Sequence, residues 1–346
     1  MRTVYWGVIL IIALPLLTRG GILPGDSAAR IRIVFYNTEN LFDIEDDPLT
    51  RDAEFTPEGT KGWNNYRLYR KLNGIARVIT GAGGWTLPAL VGLCEVENRR
   101  VLDWLVFKTP LSSFDYSFIH YDSPDARGVD VALLYRRSVF TALSSRSIRI
   151  CFPFDTAAST RDILYIKGTV FGGDTLHLLV NHWPSRAGGT GESRKKRTHV
   201  AAVVRSLLDT LVASNPAARI ILMGDFNEEP FGDILTCVLK AKTDTLGLRY
   251  NDLYNTMARL KKGGRLGTCK YRGKWSVFDQ FIVSASLLNS REGWHVVQAE
   301  GFVFAPDYLL EEDSKNFGKK PFRTYQGPLY LGGFSDHLPV FLDLIH

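Results

Sequence analysis

Six short apolar runs in this chain end, or begin, on a polar residue that a protein core would not choose. Ile31 to Tyr36 runs into Asn37, and Leu90 to Cys94 runs into Glu95. Leu176 to Val180 leads to Asn181 and His182, and Arg219 to Gly224 leads to Asp225 and Asn227. Asp279 opens Gln280 to Val283, and Asp336-His337 opens Leu338 to Leu344. Runs of this length read as buried strands. The ends of parallel strands and the starts of their antiparallel neighbours lie on one edge of a mixed sheet. Ligands of α/β sheets bind outside the carboxyl ends of strands. The pattern therefore brings all these polar groups to a single edge.

Strand-like runs alternate with helix-like stretches along the chain, which makes the fold class α/β. Strands are expected at Ile31–Tyr36, Ala89–Cys94, Asp130–Tyr135, Leu164–Val170, Thr175–Val180, Arg219–Met223, Phe278–Val283 and Leu338–Leu344. Helices are expected at Tyr66–Thr80, Val101–Phe107, Thr198–Ala213 and Gly232–Ala241. Loops rich in Gly, Pro and charge cover Asp43–Trp63, Pro184–Arg197, Leu260–Trp275 and Ala305–Gly333. The last is long for a structureless loop, and loops of that length are usually functional or disordered.

The first 29 residues read as an export signal with a short linker. Arg2 supplies a positive start, and Val4 to Leu17 is an apolar run too short for a membrane span of roughly 20 residues. Residues 30–346 then form one domain, expected to be monomeric, exported to the periplasm or medium, and without a stable membrane span. An uncleaved anchor is the alternative. The net charge of +6 suits a phosphate-bearing partner. The four cysteines form no Cys-x-x-Cys pair, which argues against a zinc or redox motif. Cys94 sits inside an apolar run, and disulfide pairing stays open.

Glu95, Asp225, Asp336 and the amide oxygen of Asn37 are hard oxygen donors, suited to Mg²⁺, Mn²⁺ or Ca²⁺ rather than zinc. His182 and His337 could act as acid or base near neutrality. Asp279 could fix the tautomer of one of them. A cation bound by carboxylates beside a His–Asp pair is an apparatus for phosphate-ester hydrolysis. Arg127 and Arg186 are the candidate phosphate contacts, with Asn181 beside them.

Gly224-Asp225-Phe226-Asn227 and Ser335-Asp336-His337-Leu338-Pro339-Val340 resemble two signatures of the endonuclease/exonuclease/phosphatase superfamily. Tyr36-Asn37-Thr38-Glu39-Asn40 is similar to its first metal motif, and Gly92-Leu93-Cys94-Glu95-Val96-Glu97-Asn98 to its second. Arg127 to Asp130, Asn181 to Ser185 and Phe278 to Gln280 fall in the expected order between them. The resemblance implies a four-layer αββα sandwich of two packed mixed, mostly antiparallel sheets flanked by helices. It also implies roles. Glu95 is then the principal metal ligand, with Asn37 and Asp336 beside it, and Mg²⁺ is the implied cation. Asp225 and Asn227 position water and phosphate, and His337 is base or phosphate contact, oriented by Asp279. His182 touches phosphate as in the secreted deoxyribonuclease-like and sphingomyelinase-like branches, and Asp130 is a candidate to orient it.

Plainer readings stand beside these. Asn37, Asp225 and Asn227 are also ordinary turn residues, and His182 beside Trp183-Pro184 could simply pack. The run Arg194 to Arg197 reads first as a solvated helix face and only second as a phosphate contact. The preferred function is an exported endonuclease-like phosphodiesterase acting on nucleic acid. The first alternative is a phosphatase or phosphodiesterase for small phosphate esters or phospholipid headgroups. The second is a non-catalytic binding protein that kept the fold, which the complete residue set argues against.

Overall fold

The computed structural model describes residues 29–346 apart from 85, 187–189, 250, 264–265 and 290–292. The segment read as an export signal lies outside the described residues, save Ala29. Two large mixed sheets dominate the chain. In the first, the strand order is β14 (His295–Val303), β19 (Val340–Ile345), β1 (Arg30–Leu41), β2 (Leu90–Val96), β4 (Asp130–Arg136) and β3 (Tyr116–His120). Its pairings are antiparallel except β1 with β2. The second runs β5 (Phe140–Ile148), β6 (Ile163–Val170), β7 (Thr175–His182), β8 (Arg219–Asp225), β13 (Asp279–Ser284), β10 (Leu253–Asn255) and β9 (Ala241–Lys242). There β7 with β8 and β10 with β9 are parallel, and the rest are antiparallel.

Strand alternation explains the layering. Ile33 and Phe35 of β1 face the second sheet and join Leu178, Val180, Met223 and Phe281 in the inter-sheet core. Val34 and Tyr36 face the other way, onto α1 (Asn65–Gly83) and α2 (Arg99–Phe107). On the second sheet, Leu179, Ile220, Leu222 and Ile282 face α3 (Thr190–Ser214), which covers them with Val200, Val204 and Leu208. The result is helix, sheet, sheet, helix. Gly224 lets the parallel pair β7–β8 close up, since a Cβ there would sit 2.4 Å from the Asn181 carbonyl oxygen.

Three small hairpins decorate this frame: β11 (Cys269–Tyr271) with β12 (Lys274–Ser276), β15 (Leu310–Glu312) with β16 (Lys319–Pro321), and β17 (Tyr325–Gln326) with β18 (Leu329–Tyr330). Two of them organise the stretch 305–333 expected to be one long loop.

Several local expectations are corrected. Helix α3 starts at Thr190 rather than Thr198 and takes in the charge run. The run is satisfied within the protein: Arg194 pairs with Asp233, Lys196 with Asp155 and Arg197 with Glu228, while Lys195 lies over Phe154. Gly232–Ala241 holds only a short helical turn at Ile234–Val238 before entering β9. All four cysteines are free thiols, and Cys94 is buried as expected. Among the described residues no helix is long and apolar enough to cross a membrane.

Candidate active site

The polar ends of β1, β2, β7 and β8 and the polar starts of β13 and β19 meet at one edge between the two sheets. Local backbone geometry aims them. Cys94 is buried in the inter-sheet core, so plain alternation would turn Glu95 toward the helix layer. Instead Glu95 takes a left-handed φ of 58°, and the register of β2 breaks there against both neighbours. Glu39 and Asn40 on β1 do the same at φ 51° and 58°. Such bulges re-aim side chains, and each left-handed non-glycine residue costs about 1–3 kcal/mol. The Asn40 amide donates to Glu95 Oε2 at 3.0 Å and holds the carboxylate at the edge. Asn227 is a fourth left-handed residue at this edge, at φ 50°. Its turn brings its amide onto Asp225 Oδ1 at 2.9 Å.

Asp225 is the hub. Its Oδ2 accepts from Asn37 Nδ2 at 3.2 Å and lies 3.9 Å from Nε2 of both His182 and His337. His182 Nε2 also lies 3.8 Å from Glu95 Oε1. Asp279 faces Asp225 directly across the β8–β13 pair. Its Oδ2 meets His337 Nδ1 at 2.7 Å, while its Oδ1 is buried without a partner. His337 is held from behind by its own amide on Ser335 Oγ and by a bridge to Cys269 of the β11 hairpin.

Burial and charge set the protonation states. Burial pushes the Asp225 carboxyl up to about 7, with Asp279 and Glu95 adding to the rise and His337 opposing it. Burial alone would lower His337, but the carboxylates of Asp279 and Asp225 overcome it and hold the imidazole well above its ordinary range. His182 goes the other way. Burial lowers it well below the usual value, and the cations Arg161, Arg127 and His337 lower it further. Its Nδ1 is buried without a partner, while its Nε2 faces the carboxylates of Glu95 and Asp225. The edge thus holds one imidazole whose charged form is favoured and one whose neutral form is favoured.

Other expected residues take distinct places. Arg127 pairs with Glu95 at 3.4 Å and reaches Asn40. Arg186 donates to the Asn227 carbonyl at 2.8 Å and lies over the Phe278 ring next to Asp279. Asp336 sits outward, on Arg323 at 3.1 Å. Two expectations are corrected. Asn181 is fully buried, and its amide is committed to the Leu179 and Met223 carbonyls and to Trp183 Nε1. It braces the strand end and cannot reach a phosphate. Asp130 bonds His120 Nε2 at 3.0 Å rather than His182; the neighbour that charges against His182 is Arg161.

Sequence reading passed over Glu39, Arg323, Arg161 and Lys71. Buried Glu39 accepts from Arg323, which thereby links it to Asp336. Lys71, pushed down to about 8 by burial, donates to Thr324 and to the Phe334 carbonyl beneath the same loop. Arg161 pairs with Asp125 at 3.0 Å and donates to the Trp183 carbonyl. Glu39 lies inside the first motif and was legible there. The two arginines lie in loops with no motif around them.

The donor set fits a divalent cation. Glu95, Asp225, Asp279, Asp336 and Asn37 offer hard oxygens, and ligand atoms of Asp225, Asp279 and His337 lie within 4.8 Å of one another. The orphaned Asp279 Oδ1 and the crowding of carboxylates around Asp225 are what a missing positive charge would relieve. A two-sheet sandwich with this edge is a metal-dependent phosphoric ester hydrolase. The chain belongs to the Endonuclease/Exonuclease/phosphatase family, which it matches over residues 32–346.

Solved structures agree on the fold. A family protein from Bacteroides thetaiotaomicron superposes with a TM-score of 0.57 at 16% identity, over 92% of this chain and 95% of that one. D. rerio TDP2 complexed with a single-strand DNA product gives 0.55 at 15% identity, over 91% and 99%. A mannosyl-6-phosphatase from Bacteroides thetaiotaomicron VPI-5482 gives 0.54 at 15%, over 91% and 100%. The search of curated proteins returns no match.

Proposed function

We propose that this protein is an exported, Mg²⁺-dependent phosphodiesterase that cuts nucleic acid as an endonuclease, working as a monomer. One observation carries the reading: a His337–Asp279 dyad, closed at 2.7 Å, sets its Nε2 3.9 Å from Asp225 on the edge that also presents Glu95. Glu95, Asn37 and Asp336 would hold the cation, which when bound supplies positive charge to the phosphate and lowers the cost of developing charge.

The protein's own groups do the rest. Asp225 Oδ2 takes a proton from the attacking water as its oxygen bonds to phosphorus; the bond to the sugar oxygen breaks, and that oxygen leaves protonated from solvent. His337, kept as imidazolium by Asp279, donates from Nε2 to a non-bridging phosphate oxygen. His182 donates a second, uncharged hydrogen bond from its Nε2. Arg127 and Arg186 stand at the rim to receive the flanking phosphate charge. Asn227 holds Asp225 in place through its backbone amide. The DNA-bound neighbour, the net charge of +6 and the signal-like N-terminus support the nucleic-acid and export parts of the reading.

The test is direct. The chain lacking residues 1–29 is incubated with plasmid, single-stranded DNA, RNA, sphingomyelin, inositol phosphates, a sugar phosphate and a simple diester. Each is assayed with Mg²⁺, Ca²⁺ or chelator, alongside His337→Ala. Metal-dependent cutting of nucleic acid, lost in the variant, is expected. Turnover of lipid or sugar phosphate alone would replace the nuclease reading with the phosphatase one. Secretion of the full-length chain with loss of its first residues, read by mass spectrometry, tests export.

A further inference from the structure

The site is flanked by two cavities of opposite character. On the Glu97 and Gly128 side, a cavity of about 570 Å³ is lined by seven carboxylates, among them Asp43, Asp47, Glu97 and Asp130, with two arginines. On the other side, α1 and the loop that leads into Asp336 enclose about 410 Å³ with no acidic residue in the lining. Its walls are Tyr66, Tyr69, Arg70 and Arg77 from the helix and Gly332 to Phe334 from the loop.

Tyr66, Tyr69, Arg70 and Arg77 fall on one face of α1 by their spacing. The opposite face buries Leu68, Leu72, Ile75 and Ile79. The helix carries four cations and no anion, and only Lys71 of the four is buried. Tyr66 and Tyr69 are 65% and 55% exposed, so most of each ring faces solvent. The guanidinium groups lie over aromatic rings: Arg70 over Tyr66, and Arg77 over Tyr308 at 4.2 Å. The facing wall is two glycines and the Phe334 ring, which packs against Tyr308 and Phe322. Gly332 sits at φ 74°, and a Cβ on Gly333 would lie 2.2 Å from the Phe322 carbonyl oxygen. Exposed aromatic rings with interleaved arginines along one helix face match single-stranded nucleic acid, whose bases stack and whose phosphates need cations.

Resting on the nucleic-acid reading above, we propose that the Tyr66–Arg77 face of α1 and the Gly332–Phe334 loop form the track along which a single strand runs from the catalytic edge. Phe334 lies two residues from Asp336, so the track delivers the strand directly to the site. The acidic cavity on the opposite flank repels the same polyanion and sets the direction in which the strand leaves.

The experiment compares the wild type with Tyr66→Ala/Tyr69→Ala and with Arg70→Glu/Arg77→Glu, all of which keep the catalytic groups. Substrates are single-stranded oligonucleotides of graded length and a simple aryl phosphodiester, with anionic vesicles as a binding control. Circular dichroism verifies the fold. Losing a base stack or two phosphate contacts should raise KM for long oligonucleotides about tenfold or more. The kcat should hold, and the salt dependence should flatten in the arginine variant. Neither constant should change for the small diester. Unchanged KM for long oligonucleotides in both variants overturns the track, as does a loss confined to vesicle binding. A wild type that turns over the diester but no oligonucleotide refutes the nucleic-acid reading itself. Cutting of oligonucleotides with normal KM in the variants refutes only the track.

Discussion

Asp279→Asn separates the charge of the dyad from its shape. The amide keeps the volume and one contact to His337 Nδ1, but the full negative charge 2.7 Å from the ring is gone. Two unit charges about 4 Å apart at an effective dielectric near 20 attract by about 4 kcal/mol. Asp279 is fully buried, so little solvent screens that attraction. Without it, burial pulls His337 back to or below the ordinary histidine value. A histidine of ordinary pKa near 6.5 is about one-hundredth protonated at about pH 8.5 and about half protonated at about pH 6.5. If the imidazolium is the working form, kcat/KM falls at least about a hundredfold at about pH 8.5 and far less at about pH 6.5. The alkaline limb of the pH profile moves toward neutrality. Stability should not fall in step, because the substitution also removes repulsion between Asp279 and Asp225 and an unpaired buried oxygen. The assay is a pH profile of diester hydrolysis beside a thermal melt. A variant that matches or exceeds the wild type at about pH 6.5 would show that neutral His337 is the working form. Equal loss at every pH would reduce Asp279 to a positioning group.

Glu95→Gln should weaken Mg²⁺ binding, measured by calorimetry, by about tenfold or more while leaving the melt unchanged. Arg161→Ala leaves Asp125 buried and unpaired, so urea unfolding should show a loss of about 3–5 kcal/mol, and the double change with Asp125→Asn should recover part of it. Gly224→Ala forces β7 from β8, and activity should fall more than folding because the two strands carry His182 and Asp225. Burial alone would raise Asp343, but bonds from Arg32 and Arg30 hold its carboxyl below the usual range. A depressed carboxyl stabilises the fold above its unfolded pKa, and that contribution is lost as pH falls through the folded value. Asp343→Asn should therefore cost about 1.5–3 kcal/mol at neutral pH, and its urea midpoint should converge on that of the wild type in acid.

The site was legible because strand ends punctuate apolar runs. Asn37, Glu95, His182, Asp225, Asp279 and His337 each break a hydrophobic stretch, and parallel or antiparallel pairing leaves few edges for them to share. The layering was legible for the same reason, through alternation in β1 and β8. What escaped was geometry that period alone does not encode. Strand β5 is an edge with mostly polar or half-exposed residues, so it shows little alternation. Strand β14 has left-handed Gln298 and Ala299 in mid-run, which shift its register against β19. The orientation of Asn181 depends on which of two adjacent strand-end residues turns inward, and one residue flips the answer. Arg161 and Arg323 come from loops whose approach to the site is a tertiary fact.

Asn37, Glu95, Asp336 and His337 are carried on or beside the first sheet, whereas His182, Asp225 and Asp279 are carried on the second. A chain with either sheet alone holds half a catalyst, and half has no hydrolytic power. Enzymatic activity is thus a reporter of docking. During refolding, secondary structure should return before turnover does, and the lag between them times the moment when the two sheets close on each other.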